Sequence, residues 1–191
     1  MRAAIERIRP KKAAGIDGIA NETIKFLAPQ LAPKLADVYN RILSTSTFPA
    51  SWKCAVTAII RKQGKPDYTN PNAYRPIALL SSMSKILELI ISRRLTSWAE
   101  ERGILAEGHF GGRKCSGTED AMFALEHWTK AKWREGKVVA GLFLDVKSAY
   151  PSVHPARLIN YLFQKKCPTY LVKIIEDFLS KRTTMICLGD Y

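Results

Sequence analysis

The run Val138-Val139-Ala140-Gly141-Leu142-Phe143-Leu144 carries no polar side chain and ends on Asp145. An apolar segment of that length without alternation predicts a central strand buried on both faces. Such a strand needs neighbours along both edges and cover above and below. It therefore restricts the chain to classes that mix helices with a sheet.

The rest of the order agrees with that restriction. A short helix is expected over residues 2–9, stopped by Pro10, and Asn21 reads as the N-cap of a helix through Leu27. A longer helix is expected from Pro33, with Leu35, Val38, Tyr39, Ile42 and Leu43 on one buried face. Residues 54–60 read as a strand, 63–76 as a Pro- and Gly-containing loop, and 77–80 as a second strand. Ser82 or Ser84 opens a helix to Glu101 that closes at Gly103. Another is expected over 118–135, with Ser116 and Glu119 at capping-box spacing and Gly136 as its stop. Helices at 155–164 and 168–181 and a last strand at 183–188 complete the series. Two sheet segments separated by helices suggest an α/β or α+β unit whose sheet plan is unfinished at Tyr191.

Composition narrows the function. The 191 residues include 47% apolar ones, which is enough for a core and excludes a disordered polymer. No apolar stretch approaches the ~18 residues of a membrane span, and Arg2, Glu6, Arg7 and Arg9 interrupt any leader-like stretch behind Met1. The four cysteines and three histidines are scattered without metal-ligand spacing, so reduced thiols in an intracellular compartment, nucleus or cytoplasm, are expected. The net charge is +13, and residues 1–75 hold 13 basic against 5 acidic side chains. A basic excess on a patterned segment suits a polyanion, nucleic acid first, or simply a solvated basic surface.

Three constellations carry candidate chemistry. Asp145, at the exit of an apolar strand, suits a divalent cation, a helix N-cap or an ion pair with Lys147. Tyr150 follows near the same mouth, as a core ring or as a ring that presses on a nucleotide sugar. Arg61-Lys62-Gln63-Gly64-Lys65 and Tyr74-Arg75-Pro76-Ile77 would place Lys62, Lys65 and Arg75 on one basic flap able to close on a triphosphate, or on an ordinary solvated hairpin. Gly108-His109-Phe110-Gly111-Gly112-Arg113-Lys114 precedes a helix and could hold backbone phosphates, or be only a turn.

In order, these pieces resemble the reverse transcriptase domain of non-LTR (long interspersed element type) retrotransposons. The resemblance runs from Lys12-Ala13-Ala14-Gly15-Ile16-Asp17-Gly18-Ile19 through Pro49, Trp52-Lys53, Lys62-Gln63-Gly64-Lys65 and Tyr74-Arg75-Pro76-Ile77-Ala78-Leu79-Leu80. It continues over Lys85-Ile86-Leu87-Glu88, Arg94-Leu95, Phe110-Gly111 with Arg113, Leu144-Asp145-Val146, Ala149-Tyr150 and Ser152-Val153. A group II intron-type enzyme shares these motifs, but the spacing from Arg75 to Asp145 is closer to the retrotransposon pattern.

The resemblance implies an α+β right-hand polymerase fold, with a fingers region over residues 1–140 and the first part of a palm over 141–191, truncated before the catalytic hairpin. It implies that Asp145 is a catalytic, metal-binding aspartate, with the Val146 carbonyl as a further ligand in a two-ion Mg2+ site. Lys62, Lys65, Arg75 and Tyr150 become nucleotide-binding residues, with Tyr150 guarding the sugar 2′ position. Lys11, Lys12, Arg113 and Lys114 become nucleic-acid-binding residues. The implied partners are an RNA template, a DNA primer and deoxynucleoside triphosphates, with no membrane.

Three departures stand out: His109 where the family usually has Gln, Gly112 where it has Phe, and Pro151 where Asp or Asn is common. The Pro-Gln-Gly segment and the paired aspartates expected after Tyr191 are not in this sequence. A two-ion centre needs several converging carboxylates, so this chain is expected not to polymerise DNA alone. The alternative reading is a non-catalytic basic module that binds RNA or DNA.

Overall fold

The structure is a computed structural model that describes residues 1–187. The chain divides into two compact units, 1–94 with 155–187 and 95–154.

The first unit combines helices with a small three-stranded sheet. The helices are α1 (Arg2–Glu6), α2 (Asn21–Phe26), α3 (Ala28–Thr45), the start of α4 (Ser82–Glu101), α6 (Pro155–Gln164) and α7 (Thr169–Leu179). The strands are β1 (Cys54–Arg61), β2 (Tyr74–Leu79) and β3 (Thr183–Cys187), in the order β2-β1-β3. β2 runs antiparallel to β1 and β3 parallel to it. Pro76 sits inside β2, where its missing N–H is tolerated because β2 is an edge strand.

The core forms where the helical faces meet behind β1. Tyr39, Leu43, Phe48, Ile86, Leu87, Leu171 and Ile174 are buried there. The Phe48 ring meets Trp52 and Phe178 edge-on at centroid distances of 6.2 and 5.0 Å. The Tyr39 hydroxyl donates to the Met83 carbonyl at 2.8 Å, and burial pushes its ionisation well above the ordinary range.

Four local expectations are corrected. α3 begins at Ala28, because Pro29 already fills its first turn and Pro33 lies inside the helix. Val38 is exposed, at the margin of the apolar stripe. Asn21 is the first helical residue and not the cap. Its amide is drawn inward, donating to the Arg9 carbonyl at 2.7 Å and accepting from Ser82 Oγ at 2.6 Å. In the second unit, α5 (Thr118–Arg134) is capped one residue later than expected, with the Gly117 amide donating to Asp120 Oδ2 at 2.7 Å.

The helix stops hold as read. Gly103 and Gly136 have φ of +59° and +74°. The amides of Gly103 and Ile104 bond back to Glu100 and Ala99, and those of Gly136 and Lys137 to Trp133 and Lys132. Both ends are therefore glycine-terminated Schellman turns. The expected last strand is β3, and its final position, Leu188, lies outside the described residues, as do Asp190 and Tyr191.

The largest correction concerns residues 138–144. They form no strand, and Val138, Leu142, Phe143 and Leu144 are between 83% and 96% exposed. A fully apolar strand is stable only between partner strands, and no described strand pairs with this segment. α5 likewise buries none of its residues, leaving Met122, Phe123, Trp128 and Trp133 exposed. No helix among the described residues is long and apolar enough to cross a membrane.

Candidate functional site

The basic flap is a real hairpin, and its register sorts the side chains. Ile60 lies opposite Arg75 and Arg61 opposite Tyr74. The Lys62 amide donates to the Ala73 carbonyl at 2.8 Å, which carries the same register one pair further. Side chains alternate along a strand and directly opposed residues share a face. Lys62 and Arg75 therefore lie on one face, and Arg61 and Tyr74 on the other. Lys65 is exposed beside Gly64, whose φ of +74° makes the turn. The Lys62 ammonium rests on the Asn72 carbonyl at 2.8 Å, while Arg75 is exposed on the edge strand.

The segment containing Lys11 and Lys12 is held as a strap. The Lys11 amide donates to the Glu22 carboxylate, which this bond holds below the usual carboxylate range. A Cβ on Gly15 would lie 2.4 Å from the Leu80 carbonyl carbon and 2.5 Å from the Ser81 nitrogen, so the backbones cross where β2 turns into α4. Ser82 Oγ lies 3.1 Å from the Ile19 carbonyl and secures the same crossing. The strap thus braces the strand that carries Arg75. Lys12 is exposed on it.

Just before β1, Lys53 is buried and meets Asp177 of α7 at 2.9 Å. Asp177 also accepts from the Phe48 amide at 2.6 Å. Partial burial works against ionisation, yet the Lys53 and Phe48 hydrogen bonds outweigh it and hold the carboxyl below its usual range. Burial pushes the Glu88 carboxyl up, against the opposing pull of the Ser84 hydroxyl, Arg182 and Lys85.

The second unit places its candidates differently. Arg113 is fully engaged. Its guanidinium forks onto Glu100 at 2.8 and 2.6 Å and donates to the Ala106 and His109 carbonyls at 3.2 Å. It fastens the Gly-rich loop, while Lys114 is exposed beside it. Arg113→Ala is expected to raise amide exchange across residues 106–113 while leaving β1 and β2 protected, as hydrogen-exchange mass spectrometry would read.

Asp145, Val146 and Tyr150 fall together in the exposed stretch before α6. Asp145 caps no helix and forms no ion pair with Lys147 among the described residues. Ser148, with φ of +54°, and the Ser152 amide bonded to its carbonyl at 2.9 Å make the turn that displays Tyr150. Among the described residues, no three His, Cys, Asp or Glu side chains gather as metal ligands. One exposed carboxylate and one carbonyl do not fit a two-ion magnesium centre by themselves.

Sequence reading assigned no organising role to Tyr68 or Asp177. Gly15 stood in a matched motif, and Asn21 and Ser82 carried helix-start signals, but their meeting at the strap crossing had no local sign.

The hairpin thus sets Lys62 and Arg75 on one face, the strap braces it, and Asp145 and Tyr150 lie on a separate segment. The chain belongs to the reverse transcriptase (RNA-dependent DNA polymerase) family, whose profile matches residues 60–188. It is 34% identical, over 96% of its length, to a probable RNA-directed DNA polymerase from transposon BS of Drosophila melanogaster, covering 20% of that protein. It is 31% identical, over 98% of its length, to the RNA-directed DNA polymerase from mobile element jockey of the same species, again covering 20%. A probable RNA-directed DNA polymerase from transposon X-element, also from that fly, is 35% identical over 78% of the chain, which covers 16% of it. The chain thus spans about a fifth of the length of these relatives. The family resemblance read from the motifs is borne out, as is the mixed helix and sheet class.

Proposed function

We propose that this chain is the fingers region (residues 1–140) and the first part of the palm (141–191) of a right-hand RNA-directed DNA polymerase from a retrotransposon. On its own it grips nucleic acid and nucleotide without joining them. The observation that carries this reading is the register of the β1–β2 hairpin, which aligns Lys62 and Arg75 on one face. Arg75 offers a planar fork and Lys62 and Lys65 offer point charges, the combination suited to a triphosphate.

Lys11, Lys12 and Lys114 bind backbone phosphates of template and primer, and Arg113 contributes by holding the loop that presents Lys114. Tyr150 supplies the ring that excludes a 2′-hydroxyl. Asp145 and the Val146 carbonyl furnish part of a magnesium site whose remaining carboxylates are not among the described residues. The protein works inside the cell, in the nucleus or cytoplasm.

A second reading, a non-catalytic basic module for RNA or DNA, is favoured by that same single carboxylate together with the charge of residues 1–75. Both readings require nucleic-acid binding that weakens steeply with salt. Titrating labelled RNA and DNA at several salt concentrations checks this. Lys11→Ala with Lys12→Ala is expected to weaken binding uniformly across sequences and to flatten the salt slope by about two counterions. No binding to either polymer at low salt would sink both readings.

A further inference from the structure

The face of the hairpin opposite Lys62 and Arg75 carries a clasp centred on Tyr68, a residue outside every sequence motif. The Tyr68 hydroxyl reaches back from the loop and donates to the Lys62 carbonyl at 2.9 Å. The Tyr74 hydroxyl donates to the Tyr68 carbonyl at 2.9 Å, and the two rings meet edge-on with centroids 6.1 Å apart. The Arg61 guanidinium lies over the Tyr68 ring, 5.1 Å from its centroid. On the other side of the same residue, the Lys62 amide is bonded to Ala73. The main chain of Lys62 is thus held at both its N–H and its C=O, although residues 63–73 include a positive-φ glycine and two prolines.

This matters because a lysine is a point charge on a flexible stem. Its effective position depends on where its Cα is fixed, and ordering a mobile loop on binding lowers affinity. The Lys62 ammonium must leave the Asn72 carbonyl to reach a phosphate. With the backbone clasped, that is a side-chain rotation and not a loop rearrangement.

We propose that Tyr68 is a positioning residue for triphosphate binding, acting through its hydroxyl on the Lys62 carbonyl and seated by Tyr74 and Arg61. The proposal rests on Lys62 and Arg75 being the triphosphate contacts. Tyr68 itself touches no nucleotide in this scheme. It sets the geometry from which Lys62 does so.

Tyr68→Phe tests it, since the ring, its packing on Tyr74 and the Arg61 stack are kept and only the hydroxyl is lost. Binding of dTTP with Mg2+ to the full 191-residue chain is measured by calorimetry at low salt. Tyr68→Phe is expected to raise the Kd about fivefold, because the loosened Lys62 backbone must then be ordered on binding. The melting temperature should stay within about 2 °C of the parent, and the Lys62 amide should exchange faster. In a Lys62→Ala background, Tyr68→Phe should add nothing, because the two act as one unit.

Unchanged affinity in Tyr68→Phe, or effects of Tyr68→Phe and Lys62→Ala that simply add, would overturn the positioning role while leaving the triphosphate contact standing. No dTTP binding by the parent, or binding indifferent to Lys62→Ala, would instead remove the contact itself and the proposal with it.

Discussion

Replacing Gly15 by Ala is expected to destabilise the first unit by about 3 kcal/mol or more, among the larger effects of a single small substitution. The added methyl would occupy the space of the Leu80 and Ser81 main chains, 2.4 and 2.5 Å away. Backbone cannot swing aside as a side-chain tip can, so the strap must lift. Lifting it costs Ser82 Oγ its hydrogen bond to Asn21 and its 3.1 Å contact with the Ile19 carbonyl, which together close this crossing. Gly18→Ala is the matched control. Its φ is +65°, but nothing lies within 4 Å of a Cβ there, so only the left-handed backbone penalty of about 1 kcal/mol remains. Urea denaturation followed by circular dichroism would separate the two. Equal losses at Gly15 and Gly18 would contradict the close-crossing account.

The second large effect is expected at Asp177. Lys53 is 9% exposed and Asp177 34% exposed, so the pair lies between a buried ion pair and a surface one. Breaking a buried pair costs about 3–5 kcal/mol and an exposed one under about 1. Asp177→Ala should therefore cost about 2–3 kcal/mol, because it leaves the Lys53 ammonium buried without its counter-ion and the Phe48 amide without its acceptor. Lys53→Met combined with Asp177→Leu should recover part of this loss, but not the part that belongs to the Phe48 amide.

The pH dependence has a fixed sign. The folded-state carboxyl of Asp177 is held below its usual range, so its contribution is complete above the unfolded-state value. That contribution fades as the pH falls through the lowered folded value. Asp177→Asn should flatten this acid limb of a stability curve measured from neutral to strongly acidic pH. An unchanged acid limb would show that the carboxylate is not stabilised by Lys53 and Phe48.

How far the sequence revealed this molecule depends on whether a signal was local. The stops at Gly103 and Gly136 were legible because a left-handed terminal residue is chosen within one helical turn. The pairing of β1 with β2 was legible because a short loop joins them, whereas its parallel pairing with β3 brings together residues as distant in sequence as Cys54 and Thr183. The run 138–144 misled because apolarity states what a segment needs, not whether partner strands are at hand. Asp177 carried no such signal, since nothing nearby in sequence announces Lys53 as its partner. In the candidate site, the placing of Lys62 and Arg75 on one hairpin was legible from their motifs. Their common face needed the register of β1 on β2, and the Tyr68 clasp needed the path of the loop. Arg113 illustrates the converse, since a basic residue in a Gly-rich turn is spent on Glu100 and two carbonyls. The exposed apolar residues of α5 and of 138–144 also predict association at micromolar concentration, and concentration-independent monomeric light scattering would count against it.

The proposed reading, a chain that holds nucleotide and template without joining them, rests on Asp145 standing without companion carboxylates among the described residues. The most direct measurement is primer extension by the purified chain with an RNA template, a DNA primer, deoxynucleoside triphosphates and Mg2+. On that reading, incorporation is no greater than that of the Asp145→Ala variant, while the template–primer binds in a salt-sensitive way. Robust incorporation that disappears in Asp145→Ala would contradict it.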